Sequence, residues 1–401
     1  MVCIMVIWYG VYKNELKIFI SNYYTMDLTL TSFFNDIETE SSELAKQIRI
    51  FLSLYPPLPV KEQLPLYGAL INNRPILGKG RYSIVYDSGD IHIDTISLQL
   101  ASKTPLTRKS NKTELLLQMV VINRLLLQGI GVGHLIPTYG YFVCEAQKAR
   151  VGYQMAIPDS LKPRPMDGFP HIVMVQQRIN GYPLYHYLVV EPAPLHQIKK
   201  YIVQVLTVLM WLEASPYRLY HNDLHDHNIL ISDDRAYIID MDFAECTFGD
   251  TRTQSSPNKK QYCGSKDKAA QLYSGAYDVY LLLTKLLQSH HDDVRSWALG
   301  KLHWFWSKLV VNTHNDKWYY NLPARYKDPW IYEILTQIEN RLLEPVKTHV
   351  HQYNMSVLGE MTYDYLAYEL FPDECVHWEH VREEIQTFDW EVLLPTRSKD
   401  C

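Results

Sequence analysis

The chain has 401 residues, 47% of them hydrophobic and 21% charged, a balance that builds a sizeable core and excludes disordered, collagen-like and coiled-coil classes. Lys and Arg total 39 against 44 acidic residues, so the formal net charge of −5 offers no basic field to nucleic acid or an anionic membrane. Six dispersed cysteines, Cys3, Cys144, Cys246, Cys263, Cys375 and Cys401, include no C-x-x-C pair; they read as free thiols of an intracellular, not secreted, protein rather than a disulfide framework or zinc module.

The opening MVCIMVIWYGVY is apolar, but no basic residue precedes it and no small-residue cleavage site follows, so it does not read as a signal peptide and is too short to span a bilayer. Met26, opening MDLTLTSFF, is a second candidate start. Within 27–70, SSELAKQIRIFLSLY has helical periodicity and stops at the prolines of PPLP, and 1–70 reads as an N-terminal extension or packed cap. From Arg74, RPILGKGRYSIVYDSGD gives two β-prone runs about a Gly-rich turn, and ISLQLASK gives a third strand. Residues 112–128, KTELLLQMVVINRLLLQ, predict a helix closed by the glycines of GIGVG. IPTYGYFVCEA and HIVMVQQ supply two more strands around a Pro-rich loop at 158–170.

After NGYPL the pattern turns helical. LHQIKKYIVQVLTVLMWLEA at 195–214 has too wide an apolar face for a surface helix and predicts a buried one. Short β runs around ILI and AYIID follow, then a polar stretch at 245–268 that predicts a loop, then helical patterns from 276 onward. The Tyr- and Trp-rich tail beyond 345 is expected to pack on the helical part. No stretch reads as a membrane span, because the apolar runs near 115–127 and 201–212 are interrupted by Gln, Asn, Arg or Thr. His290, His291, Asp292 and Asp293 read as a solvated helix end.

Two segments carry chemistry. Leu77, Gly78, Lys79, Gly80, Arg81, Tyr82 and Ser83 form a Gly-rich turn whose backbone N–H groups suit phosphate oxygens, although such turns are also a common structural device. YHNDLHDHNILI at 220–231 sets an acid, Asp223, five residues before an amide, Asn228, ahead of a hydrophobic strand. With His221, His225, His227 and Asp226 alongside, the same segment also suits a plain His/Asp-rich turn or a metal site.

The second segment resembles the catalytic loop of the protein-kinase superfamily, in which an Asp orients the attacking hydroxyl and an Asn holds magnesium. The resemblance implies an α+β, two-lobed kinase-like fold: a small antiparallel sheet with one helix over 71–178, a mainly helical lobe over 179–345, and a C-terminal helical extension over 346–401. It implies ATP and Mg2+ as cofactors, with ATP under the Gly-rich turn and Val85 against its adenine. Asp223 takes the catalytic role, supported by His221, and Asn228 holds the metal. The second metal acid is read in two registers of AYIIDMDFAE, as Asp240, which also aligns Ala244, or as Asp242. Ala101 and Lys103 match the spacing of the strand lysine that meets the phosphates. Glu114 is the only acid between Lys103 and Gly140 to pair with it, and Gln118 is the fallback. The hinge that meets adenine falls near Gln176 and Gln177, and Asp278 in GAYDVYLLLTKLL becomes the acid that braces the catalytic loop. The implied activity is phosphoryl transfer to Ser or Thr of a protein, with a small-molecule kinase and a nucleotide-binding pseudokinase scaffold as alternatives.

Departures from the pattern point to a divergent lineage of the sort viral genomes carry. Asn222 replaces the usual arginine, so activation by loop phosphorylation is not expected. His225 stands where many relatives carry a lysine, and no A-P-E sequence follows the polar stretch.

Overall fold

Alternating apolar residues from Ser83 to Pro105 fold back on themselves as a long hairpin, and this hairpin organises the first part of the chain. The structure is a computed structural model that describes residues 24–55, 68–71, 74–80, 83–105, 112–144, 171–248, 251–254, 275–311, 352–353 and 361–393. Arg81, Tyr82 and the 158–170 loop lie outside the described residues, as do the opening 23 residues. The described residues form two compact units, one of the residues up to Ile179 together with Leu393 and one spanning Asn180–Val392.

The first unit is built on a five-stranded antiparallel sheet of β1 (Ile76–Lys79), β2 (Ser83–Ile93), β3 (Ile96–Pro105), β4 (Thr138–Cys144) and β5 (His171–Gln177), in the order β1-β2-β3-β5-β4. All five strands were expected from the sequence. The segment before them is more ordered than expected. It holds two helices, α1 (Tyr24–Thr39) and α2 (Glu43–Leu54), and both enter the core of the sheet. In α1, Leu30, Phe33 and Ile37 recur at helical spacing and are buried. In α2, Ser42 caps the first turn by accepting the Ala45 N–H, and Ile48 and Phe51 point into the same core. At Gly140 of β4 a Cβ would come within 2.5 Å of the Phe51 ring, so only glycine lets α2 lie this close to the strand.

The predicted helix over 112–128 is present but not uniform. It runs as Lys112–Leu116, a π-turn at Leu117–Ile122, and Asn123–Leu127, together α3. Every residue of the π-turn is buried, including Gln118. Such widened turns are uncommon and recur near functional positions. Arg124 anchors α1 to this helix through Asp36 at 2.7 Å.

The second unit begins with the three-stranded sheet β6 (Tyr182–Pro183), β7 (Ile229–Ser232) and β8 (Arg235–Ile238). Its core is α4 (Leu195–Ala214), whose buried Ile198, Ile202, Val205, Leu209 and Leu212 fulfil the expectation of an enclosed helix. Part of the stretch expected as a loop is a hairpin, β9 (Glu245–Phe248) with β10 (Thr251–Gln254); its polar residues conceal the strand period. Helices α5 (Gly275–Leu286), α6 (Asp292–Leu309), α7 (Tyr363–Leu370) and α8 (Cys375–Thr387) complete the unit. The tail packs as expected: α7 meets α4 and α5, and buried Trp378 donates its indole N–H to the Phe371 carbonyl at 3.0 Å. Among the described residues Cys246 and Cys375 are free thiols, and no helix is long and apolar enough to cross a membrane.

Candidate functional site

In the first unit, β3 aligns Ala101 opposite Asp87 and Gln176, and Lys103 opposite Val85 and Met174. The two-residue period puts Ala101 and Lys103 on one face of the sheet. Lys103 is 6% exposed and Glu114 2%, and the lysine donates to the Glu114 carboxylate at 2.5 Å. The ion pair expected from spacing is therefore made, by a residue in the turn just before the π-segment. A charge pair this deep is not a cheap source of stability, since desolvation of both ions consumes most of the Coulomb gain.

Gly78 and Gly80 have no packing or dihedral reason to be glycine. Neither has a positive φ, a Cβ at Gly78 would meet nothing within 4 Å, and one at Gly80 would reach only ordinary contact with Ser83. The turn is closed by the Gly80 N–H donating to the Ser83 carbonyl at 2.9 Å. Ser83 itself is buried and Leu77 exposed. The expected hinge is less open. The Gln177 N–H donates to the Pro137 carbonyl at 3.0 Å and that of Arg178 to Gln99 at 2.8 Å, while the Gln176 amide donates to Thr138. The Gln177 and Arg178 N–H groups are thus committed to internal carbonyls.

In the second unit the loop 221–228 is pinned from below by one carboxylate. Asp278, fully buried in the first turn of α5, accepts the N–H groups of His221 and Asn222 on Oδ2, both at 3.0 Å, and that of Leu224 on Oδ1 at 3.3 Å. It does not cap its own helix, as a lone acid at that position does. His221 locks the loop from within. Its Nδ1 accepts the Asp223 N–H at 3.2 Å, which assigns the proton to Nε2, and Nε2 donates to the Ile239 carbonyl at 2.8 Å. Asn228 closes the loop: its Nδ2 donates to the Asp223 carbonyl at 2.8 Å, and its own carbonyl takes the Ile239 N–H at 3.0 Å.

Asn222 adopts φ +60 and Asp240 φ +64, the left-handed region that costs a non-glycine residue about 1–2 kcal/mol and that Asn and Asp tolerate best. This gives a local reason for asparagine in place of arginine. Asp240 was expected at the end of the β run around AYIID. Instead β8 ends at Ile238, and 241–244 form a turn closed by the Ala244 N–H on Met241 at 3.1 Å. The two carboxylates still lie within 4.8 Å of each other, brought there by the left-handed residue rather than by pleating.

Beside Asp223, His225 is held neutral: burial first, and then the neighbouring His221, His227 and Lys285, push its pKa down to about 4 against the partial opposition of Asp226. Its Nδ1 accepts the His227 N–H at 3.2 Å, so its Nε2 carries the proton, 3.7 Å from the Asp223 carboxylate. Asp226 is fully buried, with His227 Nδ1 at 3.2 Å but poorly aligned and His225 Nδ1 at 3.9 Å, too distant for a hydrogen bond. These three side chains gather potential ligand atoms within 4.8 Å of one another, as the metal alternative requires. The His227 ring is held by stacking on Tyr185 at 4.7 Å and His225 by its bond to the His227 N–H, whereas the buried Asp226 carboxylate has no hydrogen-bond partner among the described residues.

Three supporting residues escaped the sequence reading. Tyr363 donates its hydroxyl to Asp278 Oδ2 at 2.6 Å, and its N–H to Glu213 Oε2 at 2.7 Å; Tyr220 also hydrogen-bonds Glu213. Their separations of 85 and 150 residues leave no local signal. No protein-family model matches the chain, and no curated protein sequence matches it.

Proposed function

We propose that the chain is an ATP- and Mg2+-dependent phosphotransferase of kinase-like fold, its sheet unit the smaller lobe and its helical unit the larger, acting inside cells on a protein hydroxyl. The observation that carries this reading is the buried Lys103–Glu114 pair. It occurs at the two residues whose spacing matched the phosphate-binding lysine and its helix acid, in a place where simple packing would be served better by apolar side chains.

The loop supports the same reading. Asp223 is fixed by its own N–H and carbonyl, which leaves its carboxylate to orient a substrate hydroxyl. The donor set also suits magnesium, which takes oxygen ligands. Asn228 uses its amide nitrogen within the loop, so its amide oxygen remains for a cation, and the Asp240 and Asp242 carboxylates lie close together. A bound magnesium ion neutralises phosphate charge. Gly78 and Gly80, where a Cβ would meet no close neighbour, leave the turn open to the approach of phosphate oxygens. Lys103 then supplies a fixed positive charge, and alignment does most of the remaining work.

The test is Asp223→Asn in the full chain. Transfer from labelled ATP to generic protein acceptors should fall by at least ~10²-fold, while a thermal shift with ATP and magnesium persists. Retained transfer overturns the assignment of Asp223. Transfer to small alcohols alone replaces the protein substrate by a metabolite, and nucleotide binding without turnover in the parent chain identifies a scaffold.

A further inference from the structure

The Asp278 carboxylate is shared between the loop and the C-terminal helices. A carboxylate offers about four lone-pair sites. Here Oδ2 takes the His221 and Asn222 N–H groups and the Tyr363 hydroxyl, from the first turn of α7, and Oδ1 takes the Leu224 N–H. Tyr363 is fully buried, and burial beside the Asp278 charge holds its hydroxyl protonated far above the ordinary tyrosine range, so it donates at every pH at which the protein is folded. Its position is set in turn by Glu213 at the end of α4, which accepts the Tyr363 N–H and bonds Tyr220, the residue immediately before the loop. The Tyr220 and Tyr363 rings lie 6.0 Å apart, and the backbone of Tyr220 exchanges two hydrogen bonds with Glu245.

We propose that α7 is a built-in brace of the loop, in which Tyr363 is a positioning residue that holds the Asp278 carboxylate in the one rotamer able to grip 221–224, and Glu213 is the group that seats Tyr363. The brace deepens the phosphotransferase reading and rests on it for its effect on rate; the grip on the loop does not depend on that reading. Thr362 caps α7 by accepting the Tyr365 N–H, so the helix start is fixed independently and Tyr363 can be changed without unwinding it.

Glu213 makes the brace sensitive to pH. Burial pushes its pKa up to about 7, opposed by its bonds to Tyr363 and Tyr220. The charged and titratable groups facing it are Arg218 and Tyr220 from the segment after its own helix, and Tyr363 and Asp364 from α7. Above pH 7 the ionised carboxylate accepts strongly from both donors. Below it the neutral acid accepts less well, and the brace loosens.

The experiment compares the full chain with Tyr363→Phe, which keeps the ring and removes one donor, and with Glu213→Gln, which removes the titration. Amide hydrogen exchange at His221, Asn222 and Leu224 should accelerate on the order of tenfold in Tyr363→Phe, the loss of one net hydrogen bond. The turnover number for phosphoryl transfer should fall by a similar factor, with KM for ATP within about twofold. In the parent chain turnover should decline as pH falls through about 7, and Glu213→Gln should lose that step. Accelerated exchange in a chain that shows no phosphoryl transfer upholds the brace and rejects the phosphotransferase reading. Unchanged exchange at the three amides overturns the brace whatever the activity. If Tyr363→Phe does not fold, Glu213→Gln decides by the same amides, since unaltered pH dependence of their exchange is equally fatal.

Discussion

The two units hold their chemical residues by different means. In the sheet unit, Lys103 is held by the opposite charge of Glu114 on a neighbouring helix, and that helix is fixed by apolar packing against α1 and the strands. In the helical unit, Asp223 is fixed by backbone hydrogen bonds, through a loop gripped by His221, Asn228 and Asp278. A charge pair tolerates small displacements because Coulomb attraction falls off slowly with distance. A set of hydrogen bonds does not, because each weakens steeply with angle. Under the proposed phosphotransferase reading, the first arrangement would suit a lysine that follows phosphates, and the second an acid that meets one hydroxyl in one direction.

That contrast is broken most directly at Asp278. Its replacement by Ala leaves three loop N–H groups and the Tyr363 hydroxyl buried without an acceptor, at about 1–3 kcal/mol each. The sum is comparable with the whole stability of a typical domain, ~5–15 kcal/mol. Hydrogen exchange on the full-length variant should show the helical unit unprotected while the β2–β3 hairpin stays protected. Equal loss in both units would mean that their supports are not separate.

The next largest effect is expected at Glu114. Glu114→Leu leaves the Lys103 charge buried without this partner and should cost about 3–5 kcal/mol in urea unfolding. Adding Lys103→Met should restore most of that stability, as apolar replacement of a whole buried pair usually does, while phosphoryl transfer stays lost. A double variant as unstable as Glu114→Leu would show that the pair is structural after all.

These two sites also differ in how far they were legible in the sequence. Lys103 was found by its resemblance to the kinase strand lysine, and Glu114 followed as the only acid between it and Gly140. The five strands of the sheet and the buried character of α4 followed from periodicity, which burial itself imposes; the order of the strands did not. Asp223, Asn228 and Asp278 were singled out by the resemblance of their segments to kinase motifs, whose polar residues sit beside apolar runs. The conformation of the segment carrying Asp240 was not found. Its left-handed φ is a single-residue event with no period, and alternation predicted a strand where a turn exists. Helix α1 was missed because its apolar residues are spaced for a core whose other half lies across the sheet. Tyr363 and Glu213 were missed because contacts across 85 and 150 residues are decided by packing alone.

The smallest expected effect sharpens the comparison through pH. Two groups of the helical unit titrate in opposite senses. His225 has its folded pKa lowered from the ordinary 6.5 to about 4, so the unfolded chain binds the proton more readily; its contribution is present above pH 6.5 and is lost as pH falls toward 4. Glu213 has its folded pKa raised from 4.5 to about 7, so its contribution is present below 4.5 and is lost as pH rises through 7. Each slope is at most about 1.4 kcal/mol per pH unit, and between pH 4.5 and 6.5 they oppose. The parent chain should therefore be nearly flat in this window. Removing His225 (His225→Gln) should make the unit more stable as pH falls, and removing Glu213 (Glu213→Gln) should make it less stable. Eight of the nine tryptophans lie beyond Asn180, so tryptophan fluorescence during urea unfolding reports this unit. If both variants kept the flat profile of the parent, neither group would be titrating where its burial places it, and the loosening of the Tyr363 brace at low pH would lose its cause.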